Sequence, residues 1–195
     1  IIPFVANIVE KAGLKMLGIT AIPMALWDYQ IAISPILPGT TICYVDMGAE
    51  RTRVYFFSDN LLLFSREIPN GGKNITVALA GQYETDTGEK HVDNLRAEAI
   101  KINHGLPPED VAEKTQEGIP LTEIRERILP VLTKQAEELH RSIEYFKNQH
   151  KKDKVHKLVL SGGAIGLRGL YKFFSENLEI EIERSNVLLQ CRNAV

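Results

Sequence analysis

The sequence predicts an α/β fold in which a three-stranded meander and a later strand–glycine–helix unit form one layer, interrupted by a helical insertion. Three observations support this fold class. Apolar runs at 41–46, 52–58 and 61–68 are separated only by short polar turns, which is typical of sequential strands. Residues 80–150 are rich in charge and carry apolar residues at helical spacing. Strand and glycine-turn signals return after residue 155.

The composition is that of an ordinary globular protein with a buried core. The chain has 195 residues, of which 44% are apolar and 25% charged, and its formal net charge is −2. This net charge gives no support to a nucleic-acid partner. No apolar stretch reaches the roughly 18 residues of a spanning helix, and no signal peptide is visible. We therefore expect a chain that does not itself span a membrane.

The two cysteines, Cys43 and Cys191, have no Cys or His neighbours at metal-ligand spacing. We expect both to stay reduced, which favours a cytoplasmic setting. The chain opens on Ile1 instead of Met, so we also expect it to be cut from a longer protein.

The first residues predict two helices. One covers 4–13, with a shared apolar face and Gly13 as its C-cap, and a second begins at Pro23, which suits the first turn of a helix. A short strand is predicted between them at 17–20. The proline-rich stretch 34–39 then breaks the chain.

The meander follows directly. Its first strand, 41–46, is apolar on both faces, as expected of a central strand. The tight turn 58–60 separates the second strand from the third, 61–68. Residues 69–72 end the meander, and a helix is predicted over 74–79.

The insertion is predicted from its helical periodicity. One helix covers 91–103, a shorter helix begins at 107–110, and a long helix covers 122–149. Apolar residues form a single stripe along the long helix, and Pro130 is a candidate kink. The charged run 151–154 is predicted to be a solvated linker.

The last part of the chain returns to α/β character. A strand at 157–161, a glycine turn at 162–164, a helix at 167–177 and a strand at 180–182 are predicted.

The first chemical motif is Asp46-x-Gly48-x-x-x-Thr52, at the end of one strand and the start of the next. Gly48 would let the backbone approach a phosphate, and Asp46 could hold a magnesium ion through water. Thr52 adds a hydroxyl. The same pattern also fits a tight hairpin in which Asp and Gly serve only the turn geometry.

The second motif is Ser161-Gly162-Gly163-Ala164, which leads from a strand into a helix. Such a turn lets a flat nucleoside or a phosphate lie against bare backbone. A close strand-to-helix turn explains the glycines equally well.

The third motif is the pair Glu98 and Lys101, three residues apart on one helix face. The pair could bind ribose hydroxyls or the edge of a base. The alternative is a surface ion pair worth well under about 1 kcal/mol. A fourth candidate, Gly71-Gly72 before a helix, could be structural or could border a bound nucleotide, and we favour the structural interpretation.

In this order, the motifs resemble the second half of the superfamily of actin, heat-shock chaperones and sugar kinases. Its two α/β domains of RNase H-like topology clasp Mg-ATP between them. The resemblance implies an actin-like ATPase fold in which Asp46, Gly48 and Thr52 stand at the second phosphate loop.

The same resemblance implies where the nucleoside would bind. It places Glu98 and Lys101 on the nucleoside helix. It places Gly162, Gly163 and Ala164 at the adenosine loop.

Four local stretches of sequence resemble one family within this superfamily. The stretches 60–76 and 142–149, together with the opening segments 11–14 and 23–26, are similar to the PilM family of type IV pilus assembly proteins. The bacterial division protein FtsA shares the general motifs but less of the local sequence in these stretches. The PilM resemblance spans nearly the whole chain.

PilM-like proteins are cytoplasmic and actin-like, bind ATP, and hold the short cytoplasmic tail of the membrane protein PilN. The resemblance implies an adaptor that binds ATP and Mg. It would be peripheral to the inner membrane through PilN and through other pilus platform or motor components. It also implies that 1–80 and 151–195 form one nucleotide-binding subdomain, actin-like IIA, while 81–150 form a mostly helical inserted subdomain, actin-like IIB.

Two departures from the family pattern bear on activity. The family's N-terminal phosphate loop is absent, so the chain holds about half of an ATP site, and no partner-contact residues are assigned. The second phosphate loop commonly reads Thr-Thr-Asp where this chain has Arg51-Thr52-Arg53. We therefore predict ATP binding with weak or no hydrolysis, and we assign no catalytic residue. The alternatives are an FtsA-like filament-forming division ATPase and a sugar-kinase-like enzyme of the same fold.

Overall fold

The computed structural model describes residues 1–33 and 36–185, and the chain divides into two compact units, Ile1–Ile36 and Leu37–Val195. The predicted break at 34–39 lies partly outside the described residues, and Cys191 lies wholly outside them.

The first unit contains the two predicted helices, α1 (Ile2–Lys11) and α2 (Ile22–Ile33). Pro3 lies in the first turn of α1, where its fixed φ suits the helix and its missing N–H costs nothing. The predicted strand at 17–20 is wrong, because residues 14–21 of the described chain form no regular structure. Gly18 interrupts this short apolar run, and a glycine weakens the interior of a strand.

The meander opens the second unit and has the predicted boundaries to within one residue. It consists of β1 (Thr41–Met47), β2 (Thr52–Ser58) and β3 (Leu61–Ile68). The turn between β2 and β3 places Asp59 and Asn60 at φ values of 50° and 64°, a conformation that Asp and Asn tolerate better than most residues. Antiparallel pairing of β1 with β2 then fixes which residues face each other at the site.

A helix follows the meander and leads into a hairpin that the sequence did not predict. The helix, α3, covers Gly72–Leu79, and the hairpin pairs β4 (Gly81–Thr85) with β5 (Gly88–Val92). The predicted helix at 91–103 was therefore placed too early. Asp93 accepts a hydrogen bond from the backbone N–H of Arg96 and caps the true start of the helix.

The two helices of residues 94–150 are α4 (Asn94–His104) and α5 (Leu121–His150). The prediction of a shorter helix that begins at 107–110 was wrong, since residues 107–108 have no regular structure and residues 109–110 form a turn. The backbone N–H of Leu106 donates to the carbonyl of Arg168, so a tertiary contact fixes the chain just before Pro107-Pro108.

The long helix α5 supplies the largest single face of the core. Its buried side chains repeat at three- and four-residue spacing, as predicted, and the helix continues through Pro130. Phe146 of α5 stacks on Phe56 of β2 with ring centroids 4.4 Å apart. The buried residues of α5 are Leu121, Ile124, Ile128, Leu132, Gln135, Ala136, Leu139, Ser142, Ile143 and Phe146.

The chain then returns to the sheet through β6 (Lys157–Ser161), a 3-10 turn (Gly163–Gly166), α6 (Leu170–Asn177) and β7 (Glu181–Arg184). The five-stranded sheet has the order β3-β2-β1-β6-β7, in which β6 runs parallel to β1. The carboxyl ends of β1 and β6 therefore meet at one edge of the sheet, where ligand sites of α/β folds commonly form.

Cys43 lies in the centre of β1 and is completely buried. Burial raises the pKa of its thiol far above the usual range, so the reactive thiolate is disfavoured. None of the helices in the described residues combines the length and the apolar character that crossing a membrane requires.

Candidate functional site

A cleft of about 400 Å³ opens at the edge of the sheet where β1 and β6 end. Four segments bound it: the turn after β1, the start of α3, one face of α4 and the 3-10 turn after β6. Five of the eight predicted site residues line this cleft: Gly48, Glu98, Lys101, Gly163 and Ala164.

The turn after β1 is closed by its own backbone. The N–H of Gly48 donates to the carbonyl of Arg51 at 3.0 Å. The carbonyls of Gly48 and Ala49 accept from the N–H groups of Gly72 and Lys73 at 3.0 and 2.7 Å. The turn is therefore hydrogen-bonded to the first residues of α3. The N–H of Gly48 already donates to a carbonyl of the same turn.

The Gly71-Gly72 pair has two different roles. A Cβ atom at Gly71 would lie 2.6 Å from the carbonyl oxygens of both Gly48 and Ala49, a distance that backbone atoms do not tolerate. Gly71 is therefore needed for the approach of α3 to the turn, as the structural interpretation expected. Gly72 lines the cleft, which the favoured structural interpretation did not expect.

Asp46 lies at the end of β1 but does not line the cleft. Its side chain is 19% exposed, and its Oδ2 atom is 3.7 Å from Nη1 of Arg53. Arg53 is its direct cross-strand partner on β2, and Ser161 is its neighbour on β6. The Nε atom of Arg53 also lies 3.3 Å from Glu67, which holds the guanidinium between two carboxylates.

Thr52 is fully buried beneath the turn. Its hydroxyl donates to the carbonyl of Asn70 at 2.7 Å and accepts from Nε2 of Gln135 at 2.6 Å. Thr52 therefore joins β2 to the end of the meander and to α5, and it lies outside the cleft wall.

The glycine turn after β6 contains two kinds of glycine. Gly162 has φ +91°, and a Cβ atom there would lie 2.6 Å from Oδ1 of Asp46 and from the carbonyl of Met47. A Cβ atom at Gly163 or Gly166 would meet no atom within 4 Å, and neither residue has a positive φ. Turn geometry and packing thus require Gly162 but do not require Gly163 or Gly166.

The Glu98–Lys101 pair lies on the face of α4 that borders the cleft. The Lys101 ammonium donates to Oε2 of Glu98 at 2.7 Å, to the hydroxyl of Thr76 at 2.9 Å and to the carbonyl of Gly72 at 3.2 Å. Thr76 also hydrogen-bonds to Oε2 of Glu98. Burial raises the pKa of Glu98, but the hydrogen bonds from Lys101 and Thr76, together with the Lys101 charge, lower it below its usual range.

Three apolar side chains, Ile75, Ile102 and Leu167, complete the wall. Ile102 is 63% exposed, which is unusual for a large aliphatic side chain beside a charged pair. The signal was present in the sequence, since Ile102 follows Glu98 by four residues and so shares its helix face. The other residues that sequence reasoning missed are Ala49 and Gly166.

The cleft thus combines glycine backbone without side chains, the ion-paired carboxylate of Glu98 and an apolar wall. This combination suits a ligand with a flat apolar part and hydroxyl groups. In the part of the chain that the structure describes, no three His, Cys, Asp or Glu side chains lie close enough together to hold a metal ion by themselves.

Comparison with known proteins agrees with this architecture. A family model described as type IV pilus assembly protein PilM matches residues 6–193. The solved PilM–PilN type IV pilus biogenesis complex superposes with a TM-score of 0.71 and 26% identity, over 95% of this chain and 47% of that chain. The chain therefore spans about half the length of the matched chain of that complex.

Two further known proteins are similar to this chain. MreB5 of Spiroplasma citri bound to AMPPNP superposes with a TM-score of 0.68 at 15% identity, over 97% of this chain and 60% of that one. Cell division protein FtsA of Porphyromonas gingivalis is 32% identical over 95 residues, which is 49% of this chain and 18% of that protein. The predicted actin-like α/β fold is confirmed.

Proposed function

Because the chain belongs to the family of type IV pilus assembly protein PilM, we propose that it is an ATP-binding adaptor of the pilus inner-membrane assembly platform. The family match covers residues 6–193, which include every element of the cleft. The adaptor role is preferred to an enzymatic one because the cleft walls carry a single carboxylate, Glu98, and that carboxylate is already ion-paired.

The proposal that the cleft binds a nucleotide is carried by Gly163 and Gly166. Both glycines line the cleft, and neither is required by backbone conformation or by packing. A bare wall of this kind leaves room for a flat ring system against the backbone, which is the arrangement that an adenosine loop needs. Ala164 lies between them in sequence, and its small side chain also leaves room for a ring in the cleft.

The remaining residues fit the other parts of ATP. Glu98 can accept a hydrogen bond from a ribose hydroxyl, and Ile75 and Ile102 supply apolar contact. The phosphates would extend towards Gly48. A magnesium ion would neutralise part of the phosphate charge, and Asp46 would hold it through water.

Thr52 has a supporting role in this proposal. Its hydroxyl is occupied by Asn70 and Gln135, so it holds the phosphate-side turn in place from beneath. Gly162 likewise allows the end of β6 to approach Asp46.

The proposed protein partner is the short cytoplasmic tail of a PilN-like inner-membrane protein. The solved PilM–PilN complex supports this assignment, and it would keep the protein cytoplasmic but peripheral to the inner membrane. Other platform or motor components would bind the same adaptor. Within it, residues 81–150 would form the inserted subdomain and the rest the nucleotide-binding subdomain.

Calorimetric titration of Mg-ATP into the protein tests the nucleotide site. Replacing Gly163 by Ala and then by Val fills the wall in two steps, and we expect affinity to fall a few-fold and then at least about tenfold. The melting temperature of both variants should stay close to that of the wild type, because a Cβ atom at Gly163 meets no atom within 4 Å and the cleft is open beyond it. Wild-type protein that binds no Mg-ATP, or equal affinity in all three proteins, would contradict the proposal.

A second titration tests the partner. We expect a peptide with the N-terminal cytoplasmic sequence of a PilN-like protein to bind, and a scrambled peptide of the same composition not to bind. Equal binding of both peptides would leave the adaptor role without support.

An FtsA-like filament-forming role is the second candidate, because 95 residues are 32% identical to FtsA of Porphyromonas gingivalis. Sedimentation with ATP and lipid vesicles distinguishes the two. ATP-dependent pelleting without a PilN-like peptide would favour the filament.

A further inference from the structure

We propose that Lys101 and Thr76 are positioning residues that connect the nucleoside end of the cleft to the turn at 48–51. Their ammonium and hydroxyl groups hold one peptide group of α3, and that peptide group holds the turn. The inference about ligand coupling rests on the proposed nucleotide-binding function, whereas the contact network itself does not.

The Lys101 ammonium is fully occupied within the protein. A lysine ammonium has three N–H donors, and those of Lys101 have three acceptors: Glu98 Oε2, Thr76 Oγ1 and the carbonyl of Gly72. Its side chain is only 15% exposed. A ligand hydroxyl could accept from Lys101 only if one of these hydrogen bonds broke. Lys101 is therefore better suited to hold protein groups than to contact a ligand.

Thr76 completes the same network from the buried side. Its hydroxyl accepts from Lys101 and lies within hydrogen-bonding distance of both the Gly72 carbonyl, at 3.2 Å, and Oε2 of Glu98. Since both contacts to Glu98 fall on Oε2, the Oε1 atom keeps its acceptor capacity among the described residues. The network thus fixes the orientation of the carboxylate and leaves one oxygen for a ligand.

The peptide group between Gly72 and Lys73 carries the connection to the turn. Its carbonyl accepts from Lys101, and its N–H, that of Lys73, donates to the carbonyl of Ala49 at 2.7 Å. Hydrogen bonds at the two ends of one peptide group polarise it in the same direction and strengthen each other. The adjacent N–H of Gly72 donates to Gly48 at 3.0 Å, which gives the turn a second attachment.

These contacts distinguish the pair from an ordinary surface ion pair. Glu144 and Lys147 on α5 have the same three-residue spacing and a 2.9 Å contact, but the Lys147 side chain is about twice as exposed, at 31%. Loss of the Lys147 ammonium should therefore leave the turn at 48–51 unchanged, whereas loss of the Lys101 ammonium should weaken the hydrogen bonds that hold this turn. The Glu144–Lys147 pair is therefore the matched control for the Glu98–Lys101 pair.

Amide hydrogen exchange measured by NMR on the ligand-free protein tests the network directly. We expect Lys101→Met and Thr76→Val to accelerate exchange at the Lys73 amide by about tenfold or more. Thr76→Ser, which keeps the hydroxyl, should restore a rate close to the wild type, and Lys147→Met should leave it unchanged. The amide of Phe173 in α6, which donates to the carbonyl of Gly169 just before that helix, is outside the network and should not change.

Two outcomes would overturn the proposal. One is a Lys73 amide that exchanges at the wild-type rate in Lys101→Met. The other is equal acceleration at Lys73 and Phe173, which would show general loss of stability instead of a local connection.

Adenosine tests whether the network transmits binding, because it has no phosphate with which to touch the turn. We expect saturating adenosine to slow exchange at Lys73 in the wild type and not in Lys101→Met. Protection that is equal in both proteins, or absent in a wild type that binds adenosine, would overturn the coupling. Absence of any adenosine binding would count against the proposed function, and the ligand-free exchange rates would then decide the network alone.

Discussion

Asp46 and Arg53 face each other directly across β1 and β2, with the Asp46 carboxylate 3.7 Å from the Arg53 guanidinium. Arg53 is also held by Glu67 of β3, which Arg51 contacts in turn. The hydrogen bond from Arg51 is the largest cause that lowers the pKa of Glu67, so this carboxylate stays ionised. A cation of the protein thus occupies the place beside the aspartate that is proposed to hold magnesium through water.

The first prediction concerns this competition. In Arg53→Gln, Asp46 loses its guanidinium partner, and we expect half-maximal ATP binding to need several-fold less Mg²⁺ than in the wild type. Arg51→Gln is the control, because it removes a positive charge two residues away that contacts Glu67 and not Asp46. Calorimetric titration of ATP at a series of Mg²⁺ concentrations measures both. An unchanged Mg²⁺ requirement in Arg53→Gln would show that Arg53 does not compete at Asp46.

The second prediction separates the two glycines after β6. Gly162→Ala places a Cβ atom against Asp46 and Met47 at a positive φ, and we expect it to lower the free energy of unfolding by about 2 kcal/mol or more. Gly163→Ala meets no atom within 4 Å and should change the free energy of unfolding by no more than about 0.5 kcal/mol. Urea denaturation measures both variants. Equal destabilisation would mean that turn geometry explains both glycines.

The third prediction concerns the buried hydroxyl of Thr52. Thr52→Val keeps the shape of the side chain but leaves the Asn70 carbonyl and the Gln135 amide without their partner. We expect a loss of about 1–3 kcal/mol in the free energy of unfolding. Thr52→Ser keeps both hydrogen bonds and should lose less. If Val and Ser cost the same, the hydroxyl has no stabilising role.

The sequence predicted the sheet more accurately than the insertion, for a physical reason. Strands β1, β2 and β3 are consecutive apolar runs joined by turns whose residues signal their own geometry. The strands β4 and β5 contain Glu84, Glu89 and Lys90, so their alternation of apolar and polar residues is weak and does not distinguish them from a charged helical segment. Tertiary contacts also form there, since the guanidinium of Arg127 on α5 stacks on the Tyr83 ring and donates to the carbonyl of Gln82.

The site was predictable where a motif is local, and less so where packing decides. Gly48, Glu98, Lys101, Gly163 and Ala164 line the cleft as separate local motifs suggested. The hydrogen bond between Thr52 and Gln135 could not be predicted from the motif around Thr52, because Gln135 is 83 residues away in the chain. The role of Thr76 depends on the packing of α3 against α4.

The fourth prediction is a pH dependence at Glu98. Its pKa is lower in the folded protein than in the unfolded chain, so its contacts stabilise the fold at pH values above about 4.5 and are lost as the pH falls through the lower, folded value. We expect exchange at the Lys73 amide, corrected for its intrinsic pH dependence, to accelerate below that point. Glu98→Gln cannot ionise and should show no such step. A step of the same size in Glu98→Gln would assign the titration to another group.

The fifth prediction concerns Arg127, which joins α5 to the hairpin of β4 and β5. Its guanidinium carbon lies 3.7 Å from the centre of the Tyr83 ring, and its nitrogens contact the carbonyls of Ala80 and Gln82 and the carboxylate of Glu123. A lysine keeps the charge but cannot reach several acceptors while stacking on a ring. We therefore expect Arg127→Lys to accelerate amide exchange in residues 81–92.

The pattern of that change identifies its cause. Loss of the guanidinium should affect the hairpin more than α5, because α5 keeps its buried apolar face. Arg141→Lys, which alters an exposed arginine of the same helix, is the matched control and should leave the hairpin unchanged. If Arg127→Lys leaves exchange in residues 81–92 at the wild-type rate, the β-sheet hydrogen bonds and the buried side chains of Tyr83 and Val92 are sufficient to hold the hairpin, and the hairpin does not depend on the Arg127 guanidinium.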